Sequence, residues 1–291
     1  MSRPLERVLA YGRMIRFSHS VFALPFALTA AALAARGGGA SAPKLAWIVV
    51  AMVSARSAAM GFNRLADHAI DARNPRTAGR ELPKGVVTRG EAWLFVGVSA
   101  AGLVLAAAML NPLCLALSPV ALAVVFGYSY TKRFTAASHL VLGLSLAIAP
   151  VGAWLAIRGQ FEAPPLVLSL SVLLWVAGFD TLYACQDVEF DRGEGLRSLP
   201  ASLGVPLALA VARVMHVGTV GLLLLLYWLV PLHALYLAGV LGFAAMLVWE
   251  HSLVRADDLS RVMQAFDLNG WVSLGYFVVT AAASWLGRGA S

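Results

Sequence analysis

Long apolar stretches separated by short polar segments dominate the pattern of this chain. Nine of these stretches come close to or exceed the ~20 residues that a helix needs to cross the ~30 Å hydrocarbon core of a bilayer. The alternation of apolar and polar positions that a membrane β-barrel needs is absent. The pattern therefore predicts an all-α, polytopic membrane protein with nine transmembrane helices. The predicted spans are residues 14–35, 45–71, 91–109, 113–130, 138–158, 166–185, 205–230, 232–249 and 268–286.

Prolines and glycines interrupt this pattern in two ways. Pro25, Pro119 and Pro150 fall within predicted spans, where the missing N–H predicts kinks. Turns are predicted at Gly37–Gly39, Asn111-Pro112, Pro164-Pro165 and Pro231.

The first span has no convincing small-residue cleavage site near Arg36, so a retained helix is expected rather than a cleaved signal.

Composition agrees with the membrane class. Of the 291 residues, 60% are hydrophobic and only 13% are charged. The mean hydropathy is +0.77, a value that excludes an ordinary soluble protein. The two cysteines, Cys114 and Cys185, lie far apart and form neither a disulfide framework nor a zinc spacing, so buried thiols are expected.

Basic residues predict the orientation in the membrane. Most of the 22 Lys and Arg residues fall in the N-terminal segment and in the loops after the second, fourth, sixth and eighth spans. By the positive-inside rule this side is cytoplasmic and includes the N-terminus, and a bacterial inner (plasma) membrane is the expected location. Topology accounts for most of the net charge of +7, so no nucleic-acid partner is expected. A basic face also favours anionic lipids and anionic substrates.

A first acidic motif lies at the end of the second span. Asn63, Asp67 and Asp71 are spaced i, i+4, i+8, so their side chains share one helix face. A basic loop with the sequence Arg80-Glu-Leu-Pro83 follows, here called the first Arg-x-Leu-Pro loop. Oxygen ligands stacked in this way suit a hard divalent cation.

A second acidic motif at the end of the sixth span repeats this arrangement. Asp180, Asp187 and Asp191 share a helix face, and the second Arg-x-Leu-Pro loop, Arg197-Ser-Leu-Pro200, follows. The repetition indicates an internal pseudo-repeat. One domain over residues 1–291 is therefore predicted, made of two halves, about 14–130 and 138–249, and a final helix.

Charged groups near membrane depth predict the chemistry of the two motifs. Such groups are costly unless they pair, bind metal or line a wet cavity, so clustered aspartates call for divalent cations. Mg²⁺ prefers one or two carboxylates together with waters and substrate phosphates, which favours a diphosphate substrate. Guanidinium groups match phosphate oxygens, although simple inside-positive charge is the alternative for Arg133. The candidate diphosphate ligands are Arg80, Lys132, Arg133 and Arg197.

Two further arginines each have two interpretations. Arg56 lies seven residues before Asn63 on the same helix face. It either holds a substrate carboxylate or phosphate, or forms an ion pair with a nearby aspartate. Arg16, just before the apolar part of the first span, is either a substrate contact or a topological charge.

An aromatic stripe runs into the second acidic motif. Trp175, Phe179 and Tyr183 are spaced i, i+4, i+8. They either stabilise an allylic carbocation through their ring faces or serve as packing. The histidines form no spacing pattern, and none is assigned a role.

Three motifs and the nine-span plan carry a family resemblance. The motifs are Asn63-x-x-x-Asp67-x-x-x-Asp71, Tyr130-Thr-Lys132-Arg133-Phe-Thr and Asp180-Thr-x-Tyr183-Ala-x-x-Asp187-x-x-x-Asp191. In these motifs the chain resembles the UbiA superfamily of intramembrane aromatic prenyltransferases over nearly its entire length. The resemblance implies nine helices around a central lipid-open cavity, with Mg²⁺ as cofactor. It implies that Asn63, Asp67, Asp71, Asp187 and Asp191 bind Mg²⁺ and the prenyl diphosphate.

The resemblance also implies a reaction. A polyprenyl diphosphate ionises, an electron-rich ring attacks the carbocation, and the ring loses a proton. Asp187 or Asp191 is the expected catalytic base. The expected partners are polyprenyl diphosphate, a small aromatic acid and membrane lipid. The residues expected at the acceptor and cavity are Arg16, Arg56, Asp180 and Tyr183.

Two acceptors remain open at this point. The phrases Ile15–His19 and Tyr183–Asp191 resemble the 4-hydroxybenzoate polyprenyltransferase-like branch, which points to 4-hydroxybenzoate or a dihydroxynaphthoate, in ubiquinone or menaquinone biosynthesis. Many 4-hydroxybenzoate enzymes have Asp directly after the motif Asn, where this chain has Arg64. One fewer carboxylate leaves the metal count and the acceptor undecided.

Clustered aspartates also occur in membrane proteins of other functions. A membrane cation transporter that uses the Asp clusters as an ion site is the alternative, but it has no evident need for two Arg-x-Leu-Pro loops on one side. Membrane alcohol phosphotransferases also use clustered Asp, but their Asp-Gly-x-x-Ala-Arg core is missing.

Overall fold

The computed structural model describes residues 3–15, 22–36 and 38–287. In these residues the regular structure is helical, apart from an isolated bridge between Arg255 and Asp258, which confirms the all-α prediction. The α-helices are α1 (Arg3–Met14), α2 (Leu24–Ala35), α3 (Ala42–Ala66), α4 (His68–Arg73), α5 (Arg89–Leu110), α6 (Pro112–Thr131), α7 (Ser138–Arg158), α8 (Ala163–Ala184), α9 (Val188–Gly193), α10 (Leu199–Leu203), α11 (Val205–Leu229), α12 (Leu235–Leu253) and α13 (Val262–Leu286).

Seven helical segments of the described chain are long and apolar enough to cross a membrane. They are α3, α5, α6, α7, the segment Ala163–Gly193 that runs from α8 through α9, α11 and α12. Helix α2 is apolar but has only 12 residues. Helix α13 has 25 residues but carries polar side chains such as Asp267 and Asn269, and it is not among the seven. The structure thus supports an integral membrane protein, and the count of nine crossings stays a prediction.

The first predicted span differs from the structure. A continuous helix over residues 14–35 is wrong at its start, because α1 ends at Met14 and α2 begins only at Leu24. Pro25 lies in the first turn of α2, where its fixed φ suits a helix start, so it does not kink a helix interior. Residues 16–21, and with them Arg16, lie outside the described residues. Helices α6 and α7 continue as single elements through Pro119 and Pro150.

The first of two compact units comprises Met1–Ser20 and Ala46–Tyr130. Its apolar core joins α1 to α3 and α5 through buried side chains such as Met14, Leu65 and Val96. A Cβ at Gly61 would lie 2.8 Å from Cγ2 of Val96, so glycine is what lets α3 and α5 approach at this point. This unit carries the first acidic motif.

The second unit comprises Val21–Leu45 and Thr131–Ser291 and carries the second acidic motif. Helix α8 packs against α7 and α11 in this unit. A Cβ at Gly143 of α7 would collide with the carbonyl oxygen of Leu173 on α8, so this packing also depends on glycine. The close packing holds α8, and the aspartates at its end, in a fixed position against α7.

Candidate active site

The first acidic motif lies at a break between two helices. Asp67 stands between α3 and α4 with φ −94° and ψ 6°, so the helix predicted over residues 45–71 is interrupted there. The backbone nevertheless keeps helical hydrogen bonds across the break, from Asp67 N–H to the Asn63 carbonyl (2.9 Å) and from Asp71 N–H to the Asp67 carbonyl (2.7 Å). The three motif residues therefore keep the i, i+4, i+8 relation that the sequence indicates.

Arginine and amide groups surround the aspartates of the first acidic motif. Asp71 is only 5% exposed, and Nη1 of Arg80 donates to both of its carboxylate oxygens at 2.7 Å. The Asn63 amide donates to Oδ2 of Asp67 at 3.1 Å. The first Arg-x-Leu-Pro loop thus places its arginine on a motif carboxylate.

Arg64 occupies the position where many 4-hydroxybenzoate enzymes have Asp. Its side chain is buried, with Nη1 3.9 Å from Oδ2 of Asp71. Its Nε donates to the Met14 carbonyl at 3.1 Å, which ties α3 to the end of α1. The residue at this position is therefore a buried cation, and it helps to neutralise the charge of Asp71.

The second acidic motif repeats the helix break of the first. A 3₁₀ turn over Cys185–Asp187 separates α8 from α9, and Asp187 has φ −106° and ψ 6°. The helices that follow, α4 and α9, have six residues each. Neither Asp67 nor Asp187 caps the following helix with its side chain, although Asp commonly does so at this position. Both motifs therefore break the helix at the middle aspartate and continue in a short helix.

Side chains from other elements contact two carboxylates of the second acidic motif. The Ser198 hydroxyl donates to Oδ2 of Asp191 at 2.9 Å, and it also accepts from the N–H of Ala201 at the start of α10. Nδ1 of His139, at the start of α7, lies 2.7 Å from Oδ2 of Asp180. A serine and a histidine thus hold two of the three aspartates.

The segment after α6 is bonded to the second Arg-x-Leu-Pro loop. Arg197 N–H donates to the Lys132 carbonyl at 2.7 Å, and Nη1 of Arg197 donates to the Phe134 carbonyl at 3.1 Å. The N–H of Leu199 donates to Nε2 of His139 at 3.2 Å. The structure therefore brings together the chain segments of three predicted diphosphate ligands, Lys132, Arg133 and Arg197. The Arg133 and Arg197 side chains are exposed, and that of Lys132 is half-buried.

The remaining predicted residues have different environments. Arg56 is half-buried on α3, and its Nε has no hydrogen-bond partner in the described part of the chain. Trp175 and Phe179 are buried, and their rings contact Phe26 and Phe22 respectively, which favours the packing interpretation. Tyr183 is only half-buried, with its ring 4.6 Å from that of Phe266.

One histidine contacts the second acidic motif, although the histidines show no pattern in the sequence. His139 meets Asp180 across 41 residues of sequence, so no local spacing marks the pair. A second polar group, formed by Trp175, Asn269 and Glu250, lies in the core of the second unit. There Trp175 donates to Asn269 (2.8 Å), and Asn269 donates to the buried Glu250 (2.7 Å). Such contacts between distant helices exist only in the folded chain.

The side-chain donors of the two acidic motifs are of the kind that binds a divalent metal. Among the described residues, no group of three or more His, Cys, Asp or Glu side chains could hold a metal ion by itself. The motif residues offer carboxylate and amide oxygens, which are the ligands of Mg²⁺. The ligand types present in the two motifs therefore fit Mg²⁺.

Comparisons with known proteins give a consistent answer. A model described as the UbiA prenyltransferase family matches residues 23–290. The 4-hydroxybenzoate octaprenyltransferase of Aeromonas salmonicida (strain A449) is 33% identical over an aligned length of 282 residues, and the alignment covers 94% of this chain and 95% of that protein.

Solved structures of similar fold agree with this. A UbiA homolog from Aeropyrum pernix K1 has a TM-score of 0.83 and 33% identity, over 93% of this chain and 98% of that chain. A UbiA homolog from Archaeoglobus fulgidus, bound to DMAPP and Mg²⁺, has a TM-score of 0.73 over 94% of this chain and 99% of that chain. Its identity is 18%, so it is evidence for the fold alone.

Proposed function

Because the chain belongs to the UbiA prenyltransferase family, we propose that it transfers a polyprenyl group from a polyprenyl diphosphate to the ring of a small aromatic acid. The proposed acceptors are 4-hydroxybenzoate and a dihydroxynaphthoate, in ubiquinone or menaquinone biosynthesis. The relative with 33% identity is a 4-hydroxybenzoate octaprenyltransferase, which supports the first acceptor.

One structural observation carries this proposal most directly. In the second unit, the Arg197 N–H is bonded to the Lys132 carbonyl, and the next residue, Ser198, donates to Asp191. Two adjacent residues of one loop therefore make these contacts: Arg197 bonds to the cationic segment at Lys132, and Ser198 bonds to the Asp191 carboxylate. A metal-bound diphosphate needs cationic groups for its phosphate oxygens and, next to them, oxygen ligands for the divalent ion.

Within this proposal, each acidic motif contributes to binding of the diphosphate. Mg²⁺, when bound, neutralises charge that develops on the leaving diphosphate. Arg80 holds the Asp71 carboxylate in place and is a candidate for the diphosphate, as are the cationic side chains around the second loop. The residues proposed to hold Mg²⁺ are Asn63, Asp67, Asp71, Asp187 and Asp191, and those proposed to bind the diphosphate are Arg80, Lys132, Arg133 and Arg197.

The bond changes follow from the reaction class. The C–O bond between the prenyl group and the diphosphate breaks, and its electron pair leaves with the diphosphate. A C–C bond then forms between the allylic carbon and the acceptor ring, and the ring proton passes to Asp187 or Asp191. Water must be kept from the carbocation, which suits a site at the membrane. The residues proposed for the acceptor are Arg16, Arg56, Asp180 and Tyr183.

We also propose the finer topology. The seven apolar segments, together with α2 and α13, would give nine crossings. The positive-inside rule then places the N-terminus and both Arg-x-Leu-Pro loops in the cytoplasm of a bacterial inner membrane. The lipid-open cavity that the family resemblance implies stays a prediction.

The function is tested with membranes that contain the protein. They are given a polyprenyl diphosphate, Mg²⁺ and either 4-hydroxybenzoate or a dihydroxynaphthoate. We expect a prenylated product with one acceptor, released diphosphate in equal amount, and loss of both on chelation by EDTA with recovery on added Mg²⁺. If neither acceptor is prenylated and vesicles with the protein show saturable cation flux, the transporter is the correct function.

A further inference from the structure

The pair formed by His139 and Asp180 lies outside the five proposed metal ligands. His139 is the second residue of α7 and is 3% exposed. Asp180 lies near the C-terminal end of α8 and is half-buried, with 24% of its side chain exposed. The two side chains meet at 2.7 Å between Nδ1 and Oδ2. A buried histidine thus holds a carboxylate that remains accessible from outside the core.

Hydrogen bonding determines which nitrogen of His139 carries the hydrogen. The N–H of Leu199 can only donate, so Nε2 of His139, 3.2 Å away, must accept. Nδ1 therefore carries the ring hydrogen and donates it to Oδ2 of Asp180. The same imidazole thus joins the second Arg-x-Leu-Pro loop to the Asp180 carboxylate.

This geometry leaves one carboxylate oxygen of Asp180 for a ligand. Oδ2 is engaged by His139, whereas Oδ1 has no hydrogen-bond partner among the described residues. A carboxylate fixed through one oxygen presents the other in a defined direction as a strong acceptor. Its natural partner is a hydroxyl hydrogen, because a carboxylate or a halogen on the ligand would be repelled.

We propose that Oδ1 of Asp180 accepts the hydrogen of the ring hydroxyl of the aromatic acceptor, and that His139 is the positioning residue that fixes Asp180 for this contact. The proposal rests on the proposed function, since it names the group of the acceptor that this site reads. A hydroxyl that donates to a carboxylate also feeds more electron density into the ring, which favours attack on an allylic cation. The hydroxyl is therefore both recognised and activated at Asp180.

The test compares the binding affinities of two ligands of nearly equal size, 4-hydroxybenzoate and 4-fluorobenzoate. The hydroxyl of 4-hydroxybenzoate can donate a hydrogen bond, whereas the fluorine of 4-fluorobenzoate cannot. We expect the wild type to bind the hydroxy compound about ten- to hundredfold more tightly, as a hydrogen bond to a charged group allows. Asp180→Asn replaces the accepting oxygen with a donor and is expected to lose this preference. Asp257→Asn, at an exposed ion pair with Arg255, is the matched control and should keep it.

Two variants of His139 separate positioning from a structural role. In His139→Asn the amide N–H lies near the position of Nδ1 and can still donate to Asp180. In His139→Gln the amide reaches toward the position of Nε2, so the bond to Leu199 is kept and the bond to Asp180 is lost. We expect the Gln variant to lose the hydroxyl preference and the Asn variant to keep most of it. A purely structural histidine would lower the stability of both and leave the ratio of the two affinities unchanged.

The outcomes separate this inference from the proposed function. If the wild type prenylates neither acceptor, the proposed function fails. If it prenylates 4-hydroxybenzoate but binds 4-fluorobenzoate equally well, or if Asp180→Asn keeps the preference, only the inference about Asp180 is overturned. Equal hydroxyl preference in the two His139 variants would overturn the positioning role. If a variant fails to fold, equal binding of the two compounds by the wild type would still overturn the inference about Asp180.

Discussion

The two acidic motifs share a helix break at their middle aspartate but have different partners. Each has an aspartate at a helix break with ψ 6°, followed by a helix of six residues. In the first motif Asp71 is buried and bonded to a guanidinium, whereas in the second Asp191 is half-buried and bonded to the Ser198 hydroxyl. The first motif therefore contains its own countercharge. The second uses a neutral donor at the corresponding carboxylate.

The length of the connecting loop explains this difference. Arg80 follows Asp71 by nine residues, which is enough chain for the arginine to fold back onto the carboxylate. Arg197 follows Asp191 by only six residues, and Ser198, seven residues on, reaches the carboxylate instead. The Arg197 guanidinium then turns to the Phe134 carbonyl. Two loops with one sequence pattern therefore place different side chains on their aspartates.

Removal of a motif aspartate should have the largest effect. Asp67→Asn and Asp191→Asn should each lower kcat/KM about a hundredfold or more, because each removes charge proposed to hold Mg²⁺ at the diphosphate. The measurement is product formation over a range of Mg²⁺ concentrations. Asp257→Asn serves as the control with normal activity. Near-normal turnover of either motif variant would remove that residue from the site and contradict the proposal that both motifs contribute to binding of the diphosphate.

The matching arginines should differ in stability. Arg80→Met leaves the buried Asp71 without its bonded guanidinium and should cost about 3 kcal/mol, as expected when one partner of a buried ion pair is removed. Arg197→Met loses an exposed bond to a carbonyl and should cost about 0.5–1 kcal/mol. Thermal unfolding in detergent measures both. Equal losses of stability would show that the two loops do not differ in the way their bonds indicate.

Much of the fold follows from hydropathy, because an apolar run of about 20 residues has few alternatives in a bilayer. The starts of α5 and α7 were predicted within a few residues for this reason. The breaks at Asp67 and Asp187 were not, since one residue with ψ near zero changes neither periodicity nor composition. The helical spacing of Asn63, Asp67 and Asp71 is nevertheless kept, because the backbone hydrogen bonds from Asp67 and Asp71 to the residues four positions earlier continue across the first break.

The partners of the candidate site residues were harder to predict than the residues themselves. The acidic spacing and the Arg-x-Leu-Pro repeats are local signals, and both are visible in the sequence. The contact of His139 with Asp180 depends on the packing of α7 against α8, and Gly143 allows that packing. In the sequence, Arg64 stands out only as a departure from a family pattern. Its burial, its hydrogen bond to the Met14 carbonyl and its position near Asp71 are visible only in the structure.

Ser198 gives the most sensitive test of the difference between the motifs. Ser198→Ala removes the donor to Asp191 and the side-chain cap of α10, and it should cost about 1–2 kcal/mol of stability. Activity should fall only a few-fold, because Asp191 itself remains. Ser202→Ala, at an exposed position of the same short helix, should change stability by less than about 0.5 kcal/mol. If Ser198→Ala behaves like Ser202→Ala in both stability and activity, the hydroxyl does not orient Asp191, and the second motif would depend on its ligands alone for that orientation.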